Sequence, residues 1–360
     1  MRPILFCYGT RPQAIKASRL LPALKRLGPV VSIDTGQHYD FELSTLLYQQ
    51  LGLAEPTRFL GVGSGPLPQQ TAAILLGVDE IIREVGPRAV VVIGDTVSTL
   101  GSALAAAERR IPVVHVEAGL RSGDQYMAEE ISRRVVDHLS ALCCAPSEAA
   151  AARLDREAVP GRIVFTGDVA FDVLRGAGPA ARAALGARDW PIPLDRPFAL
   201  ATLHRAELVD HPEPLAAVLD ALATLPVPVL LPVHPRTRHS LERLGLVDRL
   251  RGPIHPLTPL GYLEAIALVE RAAVVATDSG GVQREAYWLG TPCLTLRPET
   301  EWHETVTAGA NRLIAPVSAA TDLGPAVARL LAAPPRWQPT AYGSGDAADR
   351  IADAIQTLRE

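Results

Sequence analysis

Residues 277–285, Thr-Asp-Ser-Gly-Gly-Val-Gln-Arg-Glu, follow the short apolar run Ala272–Ala276 and lead into a helical pattern over Val282–Leu289. A strand that turns through two glycines into a helix presents free backbone N–H groups at the positive end of the helix dipole. Ser279, Gly280 and Gly281 are therefore candidates for holding a phosphate or diphosphate, the glycines allowing close backbone approach. Glu285, one turn in, is too deep to cap the helix but can reach back toward a ribose. An ordinary βα turn in a parallel sheet would read the same way.

Further polar clusters share one property: each follows the C-terminal end of an expected strand. They are Gly9–Arg11, Gln37-His38, Asp95, Glu117, His204-Arg205, His234 and Asp278–Gly281. Ligands of open α/β sheets bind at that end, so two such sheets facing each other would gather all seven clusters in one cleft. Each cluster also has a plainer reading. Asp95 before Thr96 could cap the next helix, and Glu129-Glu130 with Arg133 and Arg134 could be a solvated helix face. His204-Arg205 could be a surface turn, and His234 before Pro235 a satisfied core histidine.

Strand and helix patterns alternate along the chain, which implies parallel, doubly wound sheets. Strands are expected at 4–8, 30–34, 89–93, 112–116, 141–145 and 162–166, then at 197–202, 227–233, 272–276 and 293–296. Helices are expected over 13–27, with Pro22 kinking or breaking it, and near 40–51, 68–86 and 128–139. Later helices fall near 212–223, 260–270, 323–331 and 346–358. A length of 360 residues suggests two domains, divided as 1–168 and 169–344, with the helix 345–360 crossing back to pack on the first.

A net charge of −4 leaves no large basic field for nucleic acid. No apolar run is long enough to span a membrane. Cys7, Cys143, Cys144 and Cys293 form no CxxC pair and read as buried thiols of a reducing compartment. Met1-Arg2-Pro3 leads straight into a strand, so a cytoplasmic protein is expected. Of two glycine-rich segments, 61–65 has no clear strand before it and is followed by Pro66 and Pro68, and 343–348 lacks an upstream strand, so neither reads as a dinucleotide loop. His303-Glu304 lacks a second histidine four residues on, and no other metal-ligand spacing occurs.

The polar clusters in their order resemble the UDP-N-acetylglucosamine 2-epimerase family of the non-hydrolysing type from end to end. The matching pieces are Gly9-Thr10-Arg11-Pro12 with Lys16, Thr35-Gly36-Gln37-His38, Gly94-Asp95-Thr96 and His115-Val116-Glu117-Ala118-Gly119-Leu120-Arg121. Then come Glu129-Glu130 with Arg133, His204-Arg205-Ala206-Glu207, Pro232-Val233-His234-Pro235, Thr277–Gln283 and Tyr342-Gly343. The resemblance implies two Rossmann-like domains facing across a cleft (the GT-B fold), a UDP-sugar ligand, no dissociable cofactor and a homodimer. It implies anti elimination of UDP to a 2-acetamidoglucal and re-addition on the other face. The alternatives are a hydrolysing epimerase giving ManNAc and UDP, and a non-catalytic sugar-nucleotide binder or GT-B glycosyltransferase. Asp95, Glu117 and Glu129 carry over as the acid–base carboxylates, crowded enough to repel one another, with His204 beside them. Arg11, Lys16, His204 and Ser279–Gly281 would hold the diphosphate, Glu285 the ribose, and Arg133 would brace Glu129 one turn away. Gln37, His38, Arg205 and His234 lie where relatives bind a second, activating UDP-sugar. The wording Thr295-Leu296-Arg297…Glu301-Trp302 is closer to relatives acting on modified sugars such as UDP-2,3-diacetamido-glucuronate.

Overall fold

Strands covered by helices on both faces must be apolar on both faces, and the central strands here are. In Ala89-Val90-Val91-Val92-Ile93 no residue is more than 2% exposed. The computed structural model describes residues 1–37, 51–186 and 188–358. The chain forms two compact units, Met1–Gly176 with Thr340–Glu360, and Ala177–Pro339.

The first unit holds seven strands: β1 (Ile4–Tyr8), β2 (Val30–Asp34), β3 (Arg58–Phe59), β4 (Ala89–Ile93), β5 (Val113–Val116), β6 (Leu142–Ala145) and β7 (Arg162–Phe165). They pair in parallel in the order β3-β2-β1-β4-β5-β6-β7. Cys7 lies opposite Val92, and Val92 opposite His115. That register brings Gly9, Gly94 and Glu117 off the same edge of the sheet. The order reverses between β1 and β4, the switch point where such sheets bind ligands.

Helix Val97–Glu108 packs beside both Leu67–Val85 and Ala128–Leu139. A side chain at Gly101 would meet Ile74 at 2.9 Å, so the small residues of this helix permit its close packing. Helix Arg11–Lys25 runs on through Pro22, which neither ends nor breaks it. The helix expected near 40–51 lies almost wholly outside the described residues.

The last helix, Ala347–Gln356, packs on Arg11–Lys25 as expected. Ala347 and Ala348 donate their N–H groups to Asp172 at 3.0 and 2.8 Å, and Arg162 donates to Ala354 O at 2.6 Å.

The second unit repeats the strand order with six parallel strands, β10-β9-β8-β11-β12-β13. These are β8 (Ala199–Thr202), β9 (Val229–Pro232), β10 (Ile254–Leu257), β11 (Val274–Thr277), β12 (Cys293–Thr295) and β13 (Asn311–Leu313). Side chains alternate between two cores. In β8, Ala199 and Ala201 enter one core and Leu200 the other, and in β9 Val229 and Leu231 join the first and Leu230 the second. Helices Glu148–Arg156 and Pro235–Arg243 and strands β10 and β13 were not legible in the apolar pattern, being short or rich in charge. Among the described residues no helix is long and apolar enough to cross a membrane.

Candidate functional site

In the first unit the loop after β4 is the hub. Gln13 donates to Ile93 O at 2.6 Å, and His115 Nε2 lies 2.8 Å from Gly94 O. Ser98 donates to Gln37 Oε1 at 2.9 Å and lies 2.7 Å from Thr35 Oγ1, which joins the loop after β2. Gln37 N donates to Gly9 O at 3.1 Å. A Cβ on Gly9 would fall 1.9 Å from Thr35 Oγ1, so only glycine fits between these loops.

Asp95 does not cap the following helix, whose N-cap is Thr96. Its Oδ2 instead accepts from Arg133 Nε at 2.9 Å and Nη2 at 2.6 Å. Glu117 is buried in an ion pair with buried Lys16 and holds φ at +68°. A non-glycine residue there costs about 1–3 kcal/mol, a strain that clusters at functional sites. Of the three acids expected to repel one another, Asp95 and Glu117 each face a cation. Spacing points Arg133 at Glu129, but the partners found are Asp95 and, at 3.3 Å, Glu130. Glu129 is exposed and Glu130 buried, so only half of the solvated face exists. Arg11 opens its helix at an exposed position. His38 lies outside the described residues.

Sequence reasoning missed the layer behind these groups. Asp137, fully buried, lies 2.7 Å from His115 Nδ1 and 2.8 Å from Arg121 Nη1. Burial pushes Asp137 up, but His115 and Arg121 outweigh it and hold its carboxyl below the usual range. Burial likewise pushes His115 down, and Asp137 with Gly94 O raises it above the ordinary value. Glu130 is pushed up by burial but ends low, through the Ser122 N–H, Arg134, Arg133 and Arg121. The available signal was spacing: 130, 133 and 137 share one helix face, and polar residues on an inward stripe need partners.

In the second unit Asp278 is fully buried. Its Oδ2 accepts from the N–H groups of His204 and Arg205 at 2.7 and 2.8 Å, and its Oδ1 lies 2.9 Å from His204 Nδ1. Burial pushes Asp278 up, while His204 and these N–H groups hold it below the usual range. Asp278 thus lies against both the backbone and the imidazole of His204. Ser279 caps helix Gly280–Leu289, its Oγ accepting from Val282 N. A Cβ on Gly280 would lie 2.9 Å from Glu301 Oε1 and 3.0 Å from Trp302 Nε1, whereas Gly281 has only Ser279 Oγ at 3.7 Å. Glu301 accepts from Arg297 at 3.0 Å and has Arg205 at 3.9 Å. Glu285 is half-buried on the same helix. His234 is exposed rather than a core residue; its ring lies 5.8 Å from that of His204 and its Nδ1 accepts from Arg236 N.

All four cysteines are free and buried. Burial pushes Cys7, Cys144 and Cys293 up to about 12, which removes them as nucleophiles. Among the described residues no group of His, Cys, Asp or Glu is disposed to hold a metal ion. The first unit thus holds two carboxylates paired with cations, and the second a glycine-led helix start with a histidine against a buried carboxylate.

Residues 25–356 match the family model described as UDP-N-acetylglucosamine 2-epimerase. The chain is 40% identical over 370 residues to the UDP-2,3-diacetamido-2,3-dideoxy-D-glucuronate 2-epimerase of Pseudomonas aeruginosa, covering 99% of each. It is 36% identical to the UDP-N-acetylglucosamine 2-epimerase of Methanocaldococcus jannaschii, covering 95% of this chain and 96% of that one. It is also similar to a crystal structure of the Methanocaldococcus jannaschii UDP-GlcNAc 2-epimerase in complex with UDP-GlcNAc and UDP. That match has a TM-score of 0.88 at 35% identity and covers 98% of each chain.

Proposed function

The chain belongs to the UDP-N-acetylglucosamine 2-epimerase family, and on that premise we propose that it interconverts UDP-GlcNAc and UDP-ManNAc without hydrolysis. The observation that carries the reading is the pairing of Lys16 with Glu117 and of Arg133 with Asp95 around one loop. A carboxylate removes the proton from C2 of the sugar. The C2–H electron pair becomes the C1–C2 double bond, and the C1–O pair leaves with UDP. Re-addition to the 2-acetamidoglucal with proton delivery from the other face gives the epimer, so two acid–base groups are required. Electrons balance without a redox cofactor.

Asp95 and Glu117 take these two roles, with Glu129 as the third carboxylate. Lys16 and Arg11 offset the charge that develops on the departing diphosphate. In the second unit Ser279, Gly280 and Gly281 bind the diphosphate, His204 donates to it, and Glu285 binds the ribose. Gln37, Arg205 and His234 bind a second, activating UDP-sugar. The protein works as a cytoplasmic homodimer.

A second reading keeps the reaction and changes the sugar to UDP-2,3-diacetamido-glucuronate. It is favoured by the 40% identity to the Pseudomonas aeruginosa enzyme and by the 295–302 wording. A panel of UDP-sugars followed by ¹H NMR in D₂O tests both. The expected outcome is deuterium at C2 with the product still UDP-linked, and the sugar turned over fastest identifies the substrate. No deuterium at C2 with any sugar rejects the reaction, and free ManNAc as the sole sugar product makes it a hydrolysing enzyme. Asp95→Asn should lower kcat by about 10²–10⁴-fold.

A further inference from the structure

Gln13 is 3% exposed, and every hydrogen-bonding position of its amide is used. Its Oε1 accepts from Gly9 N at 2.8 Å and Thr10 N at 3.2 Å. Its Nε2 donates to Ile93 O at 2.6 Å and lies 3.0 and 3.1 Å from the hydroxyls of Thr96 and Thr99. Thr99 itself donates to Ile93 O at 2.8 Å, which leaves its oxygen free to accept from Gln13. A helix-start cap needs only the Oε1 half of this arrangement. The Nε2 half reaches across about 80 residues of sequence to the loop that carries Asp95.

We propose that Gln13 is a positioning residue: its amide clamps the Gly9–Arg11 turn to the Ile93–Thr96 loop and so fixes where Asp95 stands. The proposal rests on the epimerase reading for its catalytic consequence, though the clamp itself does not. An amide suits the post because it is at once donor and acceptor at every pH. A carboxyl of the same shape can donate to Ile93 O only when protonated. When ionised it would face the Ile93 carbonyl with no hydrogen between them, a buried acceptor against an acceptor. The other groups around it are the Gly9 and Thr10 N–H groups, the Thr96 and Thr99 hydroxyls, and Glu117 with its partner Lys16. Gly94 stands between Gln13 and Glu117: a Cβ there would be 3.7 Å from Gln13 Nε2 and 3.5 Å from Glu117 Oε2. Burial and the Glu117 charge would push a carboxyl at position 13 upward, against the Gly9 and Thr10 N–H groups and Lys16, which would pull it down.

The test compares the full-length wild type with Gln13→Glu and Gln13→Leu. Gln13→Leu should lose about 10–100-fold in kcat with little change in KM, the signature of misplaced chemistry rather than lost binding. Gln13→Glu should approach wild-type kcat near pH 6 and fall away progressively toward about pH 8.5 as the new carboxyl ionises. A ratio of Gln13→Glu to wild-type kcat that stays constant over this range overturns the proposal. Deuterium uptake by the backbone, corrected for the intrinsic effect of pH, reads the clamp without activity. Peptides covering residues 4–13 and 88–99 should exchange faster in Gln13→Leu, and in Gln13→Glu only at the higher pH. Unchanged uptake in both variants rejects the clamp. If the wild type places no deuterium at C2 of any UDP-sugar, the epimerase reading fails while uptake still decides the clamp.

Discussion

A buried imidazole facing a buried carboxylate ties stability to pH in a definite direction. His115 is raised above its unfolded value of about 6.5, so its contribution is full below that pH and is lost as pH climbs through the folded value. Asp137 is lowered below its unfolded value of about 3.9, so its contribution is full above that pH and is lost as pH falls through the folded value. The pair therefore works fully between about pH 4 and 6.5. His115→Gln should lower Tm at pH 6, with about 3–5 kcal/mol as the upper end of the cost because Arg121 still faces Asp137. Its deficit should shrink as pH rises above 6.5, and Tm curves of variant and wild type that stay parallel would contradict the pairing. Residue types announced Asp95 and Glu117 as chemistry, since each follows a strand end. Nothing in their local sequence announced their partners, because Arg133 reaches Asp95 from 38 residues away and Lys16 reaches Glu117 from 101.

At the scale of elements, the helix Gly280–Leu289 shows what its two leading glycines do separately. A side chain on Gly280 would press on Glu301 and Trp302, while one on Gly281 would meet only Ser279 Oγ at an ordinary 3.7 Å. Gly280→Ala should therefore lower Tm and weaken UDP binding in calorimetry, as the 301–302 segment is pushed aside. Gly281→Ala should leave Tm nearly unchanged and, on the proposed diphosphate role of this turn, weaken UDP alone. Equal Tm losses in the two variants would refute this division. The βα turn itself was legible, because a short apolar run followed by Ser-Gly-Gly has few alternatives in a parallel sheet. Helices Glu148–Arg156 and Pro235–Arg243 were not: one keeps only two buried residues, and the other mixes charged and histidine side chains with few apolar ones. Pro22 does not break its helix, for a physical reason. A proline's lost N–H bond is tolerated when Leu20, Leu21, Ala23 and Leu24 around it are all buried and tertiary packing holds the turn.

At the scale of the molecule, the chain's end completes the first unit. Gly167 and Gly343, both at positive φ, let two backbone segments cross, with Asp168 N donating to Tyr342 O at 3.0 Å. A Cβ on Gly167 would sit 2.9 Å from that carbonyl, so the crossing excludes a side chain. Beyond it, Asp172 receives the first N–H groups of the terminal helix. Burial pushes the Asp172 carboxyl up to about 6, with Asp168 and Asp346 adding to the rise and the two N–H groups opposing it. The unfolded value is about 3.9, so between there and about 6 the native state keeps a proton that the unfolded chain has given up. Stability from this group therefore declines as pH rises across that window and is flat above it. Asp172→Asn removes the titration, and the Tm difference between wild type and variant should shift against the wild type from pH 4 to pH 6 and then level off. A difference that is constant across the window would show that Asp172 ionises as freely in the fold as in the unfolded chain. The terminal helix would then be held by its apolar face against Arg11–Lys25 and by Arg162, with the carboxylate cap contributing no pH dependence.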